Sequence, residues 1–290
     1  MSSAAKWCAS RFAGQAGGES TCLSTLLWSS LELKGTPRFH RQSAGKDMRI
    51  AILSDIHGNL EALEAVAIDL RAREVDRIVC LGDMIGYGPD PEGVVRLVRR
   101  LKCLAILGNH EAALQSTEAR RWMNFQAREN NVRTEQLLGE ESLAYCRSLP
   151  RSVLLAEALF VHGFPPESVF IYLFRQTDRK IAELFASSPL SLYFVGHTHD
   201  LQLVRQTEGE IVRMPLAEGT IRLPEDMGQI VNAGSVGQPR DGDLRAKYLV
   251  WDSVTRLLQV LFVPYDCRIT VAKIRRLGFP DAYAERLCRS

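Results

Sequence analysis

The chain has 290 residues, of which 46% are hydrophobic and 24% are charged, and its formal net charge is +2. This balance is typical of a globular protein with a sizeable core, and it indicates neither a nucleic-acid nor a membrane partner. No apolar run approaches the roughly 18 residues that would span a bilayer. The seven cysteines are scattered without a C-x-x-C pair, which argues against a disulfide framework or a cysteine zinc site and favours free thiols in the cytoplasm.

Residues 1–47 are rich in Ser, Ala and Gly and show no sustained apolar period. We expect a disordered N-terminal extension there. Two alternatives are a start codon assigned too far upstream and a mitochondrial-type presequence, although the acidic residues Glu19 and Glu32 argue against the presequence. Met48 directly precedes the first clear strand, so the compact domain is expected to cover 48–290.

From Met48 the pattern alternates between buried strands and amphipathic helices. Strands are predicted over 49–54, 77–81 and 103–107, with helices over 60–73 and 91–101 between them. This β-α-β-α-β order predicts parallel strands joined by right-handed crossovers. Residues 111–148 are expected to be mostly helical, with breaks at Asn130-Asn131 and at Gly139.

The second half is richer in strands. They are predicted over 159–162, 192–195, 201–206, 210–214, 229–232, 247–252 and 257–263. Short turns between several of them favour antiparallel pairing. Helices are expected over 178–186, 271–277 and 281–288. The predicted fold is α/β, with two packed mixed sheets and helices outside.

Ligand-type side chains follow the predicted strands in five short segments. The segments are Asp55-Ile56-His57, Gly82-Asp83, Gly108-Asn109-His110-Glu111, His162-Gly163 and Gly196-His197-Thr198-His199. Sites gather where strands end in open α/β sheets. In extended backbone, residues two apart point to the same side, so each D-x-H or H-x-H pair is expected to reach one centre or two adjacent ones. Carboxylate, imidazole and amide ligands without thiolate suit Mn, Fe, Zn, Co or Ni, of which we expect Mn first.

These five segments, in this order, resemble the signature of the calcineurin-like metallophosphoesterase superfamily. The resemblance implies a four-layer α/β/β/α sandwich and two metal ions. One ion would be held by Asp55, His57 and His199, the other by Asn109, His162 and His197, with Asp83 bridging them. Two ions about 3.5–4 Å apart can share a hydroxide and clamp the attacking and leaving oxygens. Such a site is positively charged and would favour an anionic phosphate ester.

The same resemblance gives His110 a role at the scissile phosphate, either as the acid for the leaving oxygen or as a stabiliser of charge. Taken singly, several residues have simpler interpretations. Asp55 could cap a helix, His162 could be a core histidine, and Glu111 is expected to be a first-turn helix residue.

Two glycine-containing loops, over 86–91 and 232–241, resemble segments that line the cleft in a bacterial subgroup of the superfamily. This subgroup includes enzymes that cleave diadenosine tetraphosphate. Tyr87 could stack on a base there, or be a packed loop residue, and Arg240 could hold a distal phosphate, or be a surface arginine. We therefore expect a phosphodiesterase or nucleotide polyphosphate hydrolase with a phosphate-ester or nucleotide substrate. Alternatives are a protein Ser/Thr phosphatase, a small-metabolite phosphomonoesterase and a non-catalytic scaffold. The phosphatase pattern G-D-x-x-D-R-G is not met, because Gly86-Tyr87-Gly88 stands in its place. The sequence does not indicate an oligomeric state.

Overall fold

The computed structural model describes residues 40–41 and 47–288 of the chain. Within them the strands are β1 (His40–Arg41), β2 (Arg49–Leu53), β3 (Arg77–Cys80), β4 (Leu104–Ala105), β5 (Ser152–Leu155), β6 (Ala158–Val161), β7 (Leu192–Val195), β8 (Leu201–Thr207), β9 (Glu210–Pro215), β10 (Gly219–Arg222), β11 (Gln229–Ala233), β12 (Ala246–Asp252) and β13 (Leu257–Val263). The helices are α1 (Leu60–Leu70), α2 (Pro91–Arg100), α3 (Asn109–Gln115), α4 (Thr117–Arg121), α5 (Phe125–Gln136), α6 (Glu140–Arg147), α7 (Asp178–Ser187), α8 (Cys267–Arg276) and α9 (Asp281–Arg286).

The strands form two mixed sheets. The seven-stranded sheet has the order β1-β5-β6-β7-β11-β8-β9, and the six-stranded sheet has the order β10-β13-β12-β2-β3-β4. β2, β3 and β4 pair in parallel, as do β6, β7 and β11. The predicted antiparallel pairing is found between β8 and β9, β8 and β11, and β12 and β13.

The alternation of side chains along each strand explains the layering. In β2, Ile50 and Ile52 lie in the core between the sheets, together with Phe194 of the other sheet. Ala51 and Leu53 lie on the outer face, where α1 and α2 pack. The outer face of the seven-stranded sheet packs against α7 through Ile181. The predicted two-sheet sandwich flanked by helices is therefore confirmed.

Some predicted elements were wrong in detail. The helix break at Asn130-Asn131 does not exist, because α5 runs through both residues, and their buried side chains contact the Tyr87 loop and the start of α3. The break at Gly139 is confirmed. The predicted strand over 103–107 is only two residues long, and β5 and β10 were not predicted. β10 lacks a strand signal because it is a short, largely exposed strand at the edge of its sheet.

The N-terminal prediction is mostly outside the described residues. Of the expected disordered segment 1–47, only 40–41 and residue 47 are described. His40–Arg41 pairs in parallel with β5 at Val153 and Leu154. No helix in the part of the chain that the structure describes is long and apolar enough to cross a membrane.

Candidate metal centre

The loops after five strands bring seven predicted ligand side chains to one buried place. Asp55, Asp83 and Asn109 follow β2, β3 and β4, whereas His162 and His197 follow β6 and β7. His57 and His199 come two residues after the first ligand of their loops. All seven side chains are buried. Parallel pairing within each sheet explains why residues so far apart in the chain meet, since the carboxyl ends of parallel strands share one edge.

One group of donor atoms is formed by Asp55, His57 and His199. The Nε2 atoms of His57 and His199 lie 3.1 Å apart. Oδ1 of Asp55 is 3.6 Å from the His57 Nε2 and 3.3 Å from the His199 Nε2. Two ligand atoms that each lie about 2.1 Å from one ion are about 3.0–3.4 Å apart, so two of these three separations match a single coordination shell and the 3.6 Å separation is slightly longer.

A second group surrounds Nε2 of His162. This atom lies 3.1 Å from Oδ1 of Asn109, 3.2 Å from Nδ1 of His197 and 3.4 Å from Oδ2 of Asp83. The same Oδ2 of Asp83 is 3.7 Å from Nε2 of His57. One carboxylate oxygen therefore faces both groups, as a bridging ligand would.

Each of the four imidazoles has one ring nitrogen directed at a backbone carbonyl. His57 and His199 direct Nδ1 at Ile85 and Gln238, at 3.0 and 2.6 Å, and His162 directs Nδ1 at Leu81, at 2.8 Å. His197 directs Nε2 at Phe170, at 3.3 Å. Because a carbonyl can only accept, the proton must lie on these outer nitrogens. When the rings are neutral, the inner nitrogens present lone pairs to one another, which is unfavourable unless a metal ion or an additional proton lies between them.

Both carboxylates show the same division between their two oxygens. Oδ2 of Asp55 accepts from the Ser54 hydroxyl at 2.6 Å and from the His197 N–H at 3.0 Å. Its Oδ1 is buried and has no hydrogen-bond partner among the described residues. Oδ1 of Asp83 accepts the His110 N–H at 2.9 Å, which leaves Oδ2 directed at the imidazoles. A buried orphan acceptor beside converging imidazole nitrogens fits divalent metal ions with mixed nitrogen and oxygen ligands.

The charges of the group reinforce one another. Burial would raise the pKa of Asp55 and of Asp83, but the neighbouring imidazoles hold the pKa of both carboxyls below the ordinary range. Burial would lower the pKa of His162, whereas the Asp83 carboxylate raises it to about 9. Burial and then the charge of His162 lower the pKa of His197 to about 4. Without metal, the His162–His197 pair thus shares one proton at neutral pH.

The backbone at the ligands differs from the prediction. The expected extended conformation is wrong, because five of the seven predicted ligands have positive φ: Asp55 (52°), His57 (49°), Asp83 (50°), His197 (69°) and His199 (65°). Left-handed backbone is unfavourable for residues with a Cβ and concentrates at functional sites. It turns the chain sharply between Asp55 and His57 and between His197 and His199, so that His197 and His199 face different groups.

Glu111 has a larger structural role than a first-turn residue. Its carboxylate accepts backbone N–H groups of Asp83 at 2.9 Å, Met84 at 2.8 Å, Ile85 at 3.2 Å and Gly108 at 3.0 Å. Burial and the Asp83 charge raise the pKa of Glu111 to about 7. The side chain fixes the loop that carries Asp83 to the start of α3. The only sign of this role in the sequence is that Glu111 comes three residues after Gly108, the N-cap position of α3, where a carboxylate can accept backbone N–H groups.

His110 lies at the edge of the group. Its Nδ1 is buried without a hydrogen-bond partner among the described residues, and its ring centroid is 5.0 Å from that of His57. Burial lowers the pKa of His110 to about 3, so the ring is neutral at neutral pH. Gly86 has φ of +89°, and a Cβ built there would lie 2.1 Å from the His110 Nδ1. Only glycine at position 86 therefore leaves room for this ring.

Tyr87 and Arg240 lie beside the group. The Tyr87 ring is 4.7 Å from the rings of His57 and His110 and 5.1 Å from that of Tyr283. Arg240 is exposed, and its charge acts on Tyr87 and His199. Tyr87 is therefore in ring contact with two imidazoles of the group, whereas Arg240 acts on the group through its charge.

The loop that carries Arg240 is firmly attached. Lys247 is completely buried and donates to Oδ1 of Asp241 at 2.7 Å and to the carbonyl of Asp243. Earlier in the loop, the Ser235 hydroxyl donates to the Asp55 carbonyl at 2.7 Å. These contacts attach the loop on both sides of Arg240, whose side chain is exposed.

Sequence reasoning missed two further supports. Oδ1 of Asn130 accepts the Tyr87 N–H at 2.6 Å, and Nδ2 of Asn131 donates to the His110 carbonyl at 3.0 Å. Both asparagines are buried in α5. This Asn-Asn pair was interpreted as a helix break, and its role in holding Tyr87 and His110 was therefore missed.

Comparison with known proteins gives consistent results. The calcineurin-like phosphoesterase superfamily domain matches residues 48–256. An uncharacterized protein of Methanocaldococcus jannaschii is 36% identical over 244 residues, which cover 82% of this chain and 96% of the relative. The crystal structure of a metallophosphoesterase from Sphaerobacter thermophilus is similar with a TM-score of 0.72 and 34% identity, and covers 84% of this chain and 99% of that one. A hypothetical protein from Pyrococcus horikoshii shares the fold, with a TM-score of 0.66, 19% identity and coverage of 82% and 97%.

Proposed function

The chain belongs to the calcineurin-like phosphoesterase superfamily, and we propose that it uses two divalent metal ions to hydrolyse phosphodiester or nucleotide polyphosphate bonds. The observation that carries this proposal is the pair of donor groups that share Oδ2 of Asp83. The ligand roles are part of the proposal. Asp55, His57 and His199 would hold one ion, Asn109, His162 and His197 the other, and Asp83 both.

The ions, when bound, supply Lewis-acid activation of water and positive charge for an anionic ester. The protein's own contribution is to orient these ligands. The backbone carbonyls of Leu81, Ile85 and Gln238 keep the imidazole protons outside the centre. Such outer partners keep the rings in the right tautomer and orientation. We expect Mn first, with Fe, Zn, Co or Ni as alternatives.

His110 is proposed to act on the scissile phosphate. The ring lies next to the ligands His57 and Asp83 without a hydrogen-bond partner for its Nδ1 among the described residues. Its main-chain N–H is committed to Asp83, which fixes the residue while leaving the ring available. We propose that the ring contacts the leaving oxygen, either as a proton donor or as a stabiliser of charge.

The substrate class follows from what surrounds the metal centre. A protein phosphatase of this superfamily is expected to bring an arginine from its D-R-G segment, and here Tyr87 occupies that loop. Arg240 offers a cation on a firmly held loop instead, which suits an additional phosphate. A nucleotide polyphosphate can use this second contact, whereas a simple monoester or diester has no second phosphate to offer.

We assign the catalytic domain to 48–290, although the family match ends at residue 256. Helix α9 supports this extent, because Tyr283 packs against Tyr87 and its hydroxyl donates to the Gln126 carbonyl at 3.3 Å. We place the protein in the cytoplasm, which the free thiols of the described residues support, among them the buried Cys80 and Cys146.

A metal-by-substrate activity screen tests the proposal. The full chain would be stripped with a chelator and reloaded with Mn, Fe, Zn, Co or Ni in turn. The substrates would be bis(p-nitrophenyl) phosphate, p-nitrophenyl phosphate, diadenosine tetraphosphate and a phosphoserine peptide. We expect metal-dependent turnover of the diester and the dinucleotide, with the monoester and the peptide poor. Turnover of the monoester or the peptide at least as efficient as that of every diester and dinucleotide would refute the substrate class.

A further inference from the structure

A pocket opens directly beside Asn109 and His197, and four aromatic side chains line part of its wall. The rings that line it belong to Tyr87, Trp122, Phe170 and Tyr172. Trp122 follows α4, and the other two new rings come from the loop after β6, so separate parts of the chain contribute to one wall. Of the four rings, only Tyr87 was predicted from the sequence to contact a substrate; Trp122, Phe170 and Tyr172 were not.

Four of the rings that line the pocket form two stacked pairs. The Trp122 and Phe170 rings are 5.7 Å apart with an angle of 19° between their planes. The Tyr172 ring stacks on the His197 imidazole at 3.9 Å and 14°. Trp122 nevertheless leaves 71% of its surface exposed. A large aromatic ring held open beside a buried polar centre is more useful to a ligand than to the packing of the fold.

Hydrogen bonds connect the pocket wall to His197, one of the predicted metal ligands. The Phe170 carbonyl accepts a hydrogen bond from Nε2 of His197 at 3.3 Å. The Phe170 and Ile171 N–H groups both donate to the Ser168 hydroxyl, at 3.2 and 3.0 Å. The loop is thus folded on itself and attached to His197. A group that extends from a phosphate held at His197 or Asn109 would lie beside this pocket, because both residues line it.

We infer that this pocket binds the nucleobase of a nucleoside phosphate ester, with Trp122 as the main stacking face and Phe170 and Tyr172 as its neighbours. Flat aromatic walls match a planar base, and every base can stack on them without specific hydrogen bonds. A phosphoserine or phosphothreonine side chain has no planar group to place there. This inference rests on the proposed function, because it assumes that the phosphate lies at the imidazoles.

Calorimetric binding to the Mn-loaded full chain tests the base contact without turnover. The ligands are adenosine 5′-monophosphate, ribose 5-phosphate and inorganic phosphate, of which only the first has a base. We expect the mononucleotide to bind about tenfold or more tightly than ribose 5-phosphate, from the usual strength of base–aromatic stacking. Trp122→Ala should remove most of that difference and leave the Kd of ribose 5-phosphate unchanged. Trp122→Phe should retain part of it.

Phe125→Ala is the matched control. Phe125 is also 71% exposed and lies three residues from Trp122, but it does not line the pocket. This variant should bind the mononucleotide like the unchanged protein. Equal affinity of the unchanged protein for the mononucleotide and ribose 5-phosphate would overturn the inference and leave the proposed function intact. An equal loss of both ligands in Trp122→Ala would also overturn it. If not even inorganic phosphate binds, the proposed function itself fails and the inference falls with it.

Discussion

The carboxylate of Glu111 accepts the backbone N–H of Asp83 at 2.9 Å, so one acidic residue positions another that faces both donor groups. Glu111 also accepts N–H groups on either side of this contact, from Met84 and Gly108. Since Asp83 has left-handed backbone, its conformation depends on such external support. We therefore expect the metal affinity of the site to depend on Glu111, a residue that is not itself a predicted ligand.

Glu111→Ala should weaken metal binding. Removing the acceptor leaves buried N–H groups unpaired and releases the Asp83 loop, and loss of such outer partners typically costs about 10–100-fold in metal affinity or activity. Metal titration of the stripped protein would measure the effect. Glu118→Ala, on exposed α4, is the control and should titrate like the unchanged protein. Unchanged metal affinity in Glu111→Ala would contradict the positioning role.

His110→Ala should retain its metal ions and lose activity. A group that assists the leaving oxygen usually contributes roughly 10²–10⁴-fold in rate. The loss should be smaller for nitrophenyl esters, whose leaving groups need little help, than for alkyl or nucleotide esters. Kinetics with both kinds of substrate, alongside metal analysis, provide the test. Equal losses for good and poor leaving groups would remove the acid role and leave only charge stabilisation.

Arg240→Ala should raise the KM for a nucleotide polyphosphate far more than the KM for bis(p-nitrophenyl) phosphate. The diester has no second phosphate for the guanidinium to hold. Steady-state kinetics with the two substrates would show the difference. Arg222→Ala removes an exposed arginine on the edge strand β10 and should change neither KM. A similar change for both substrates in Arg240→Ala would assign Arg240 a general electrostatic effect instead of a distal-phosphate contact.

Metal binding should release a proton near neutral pH. Asp83 raises the pKa of His162 to about 9 in the metal-free protein, so the ring is protonated below that value. A ligand imidazole must be neutral, and metal therefore competes with this proton. The apparent metal affinity should rise with pH up to about 9 and then level off. Calorimetry in buffers of different ionisation enthalpy measures the release. Affinity that is independent of pH between 6 and 9 would contradict the role of His162 as a ligand.

Much of the architecture could be predicted from the sequence, because buried strands and amphipathic helices carry clear periods. The convergence of the candidate ligands could also be anticipated, since Asp55, Asp83 and His162 each follow such a strand. The conformation at the ligands could not. Its left-handed turns depend on contacts from distant residues, such as those of Glu111 with the Asp83 loop.

The errors in the prediction have the same origin. Asn130 and Asn131 have low intrinsic helix propensity, but their hydrogen bonds to Tyr87 and His110 outweigh it. Trp122 and Phe170 gave no signal because isolated aromatic residues in loops have no period. Only the fold brings their rings within 5.7 Å of each other beside His197. Local pattern locates ligands at strand ends, whereas pockets built by several loops need the tertiary structure.

The number of metal ions needed for activity tests the central claim most directly. Stripped protein would be titrated with Mn while bound metal and diester hydrolysis are measured on the same samples, with Asp83→Asn in parallel. We predict that activity requires two ions per chain and that Asp83→Asn loses both metal and turnover, because Asp83 faces both donor groups. Asp178→Asn, at an exposed ion pair, should behave like the unchanged protein. Full activity with less than one ion per chain, or after complete removal of metal, would contradict the account.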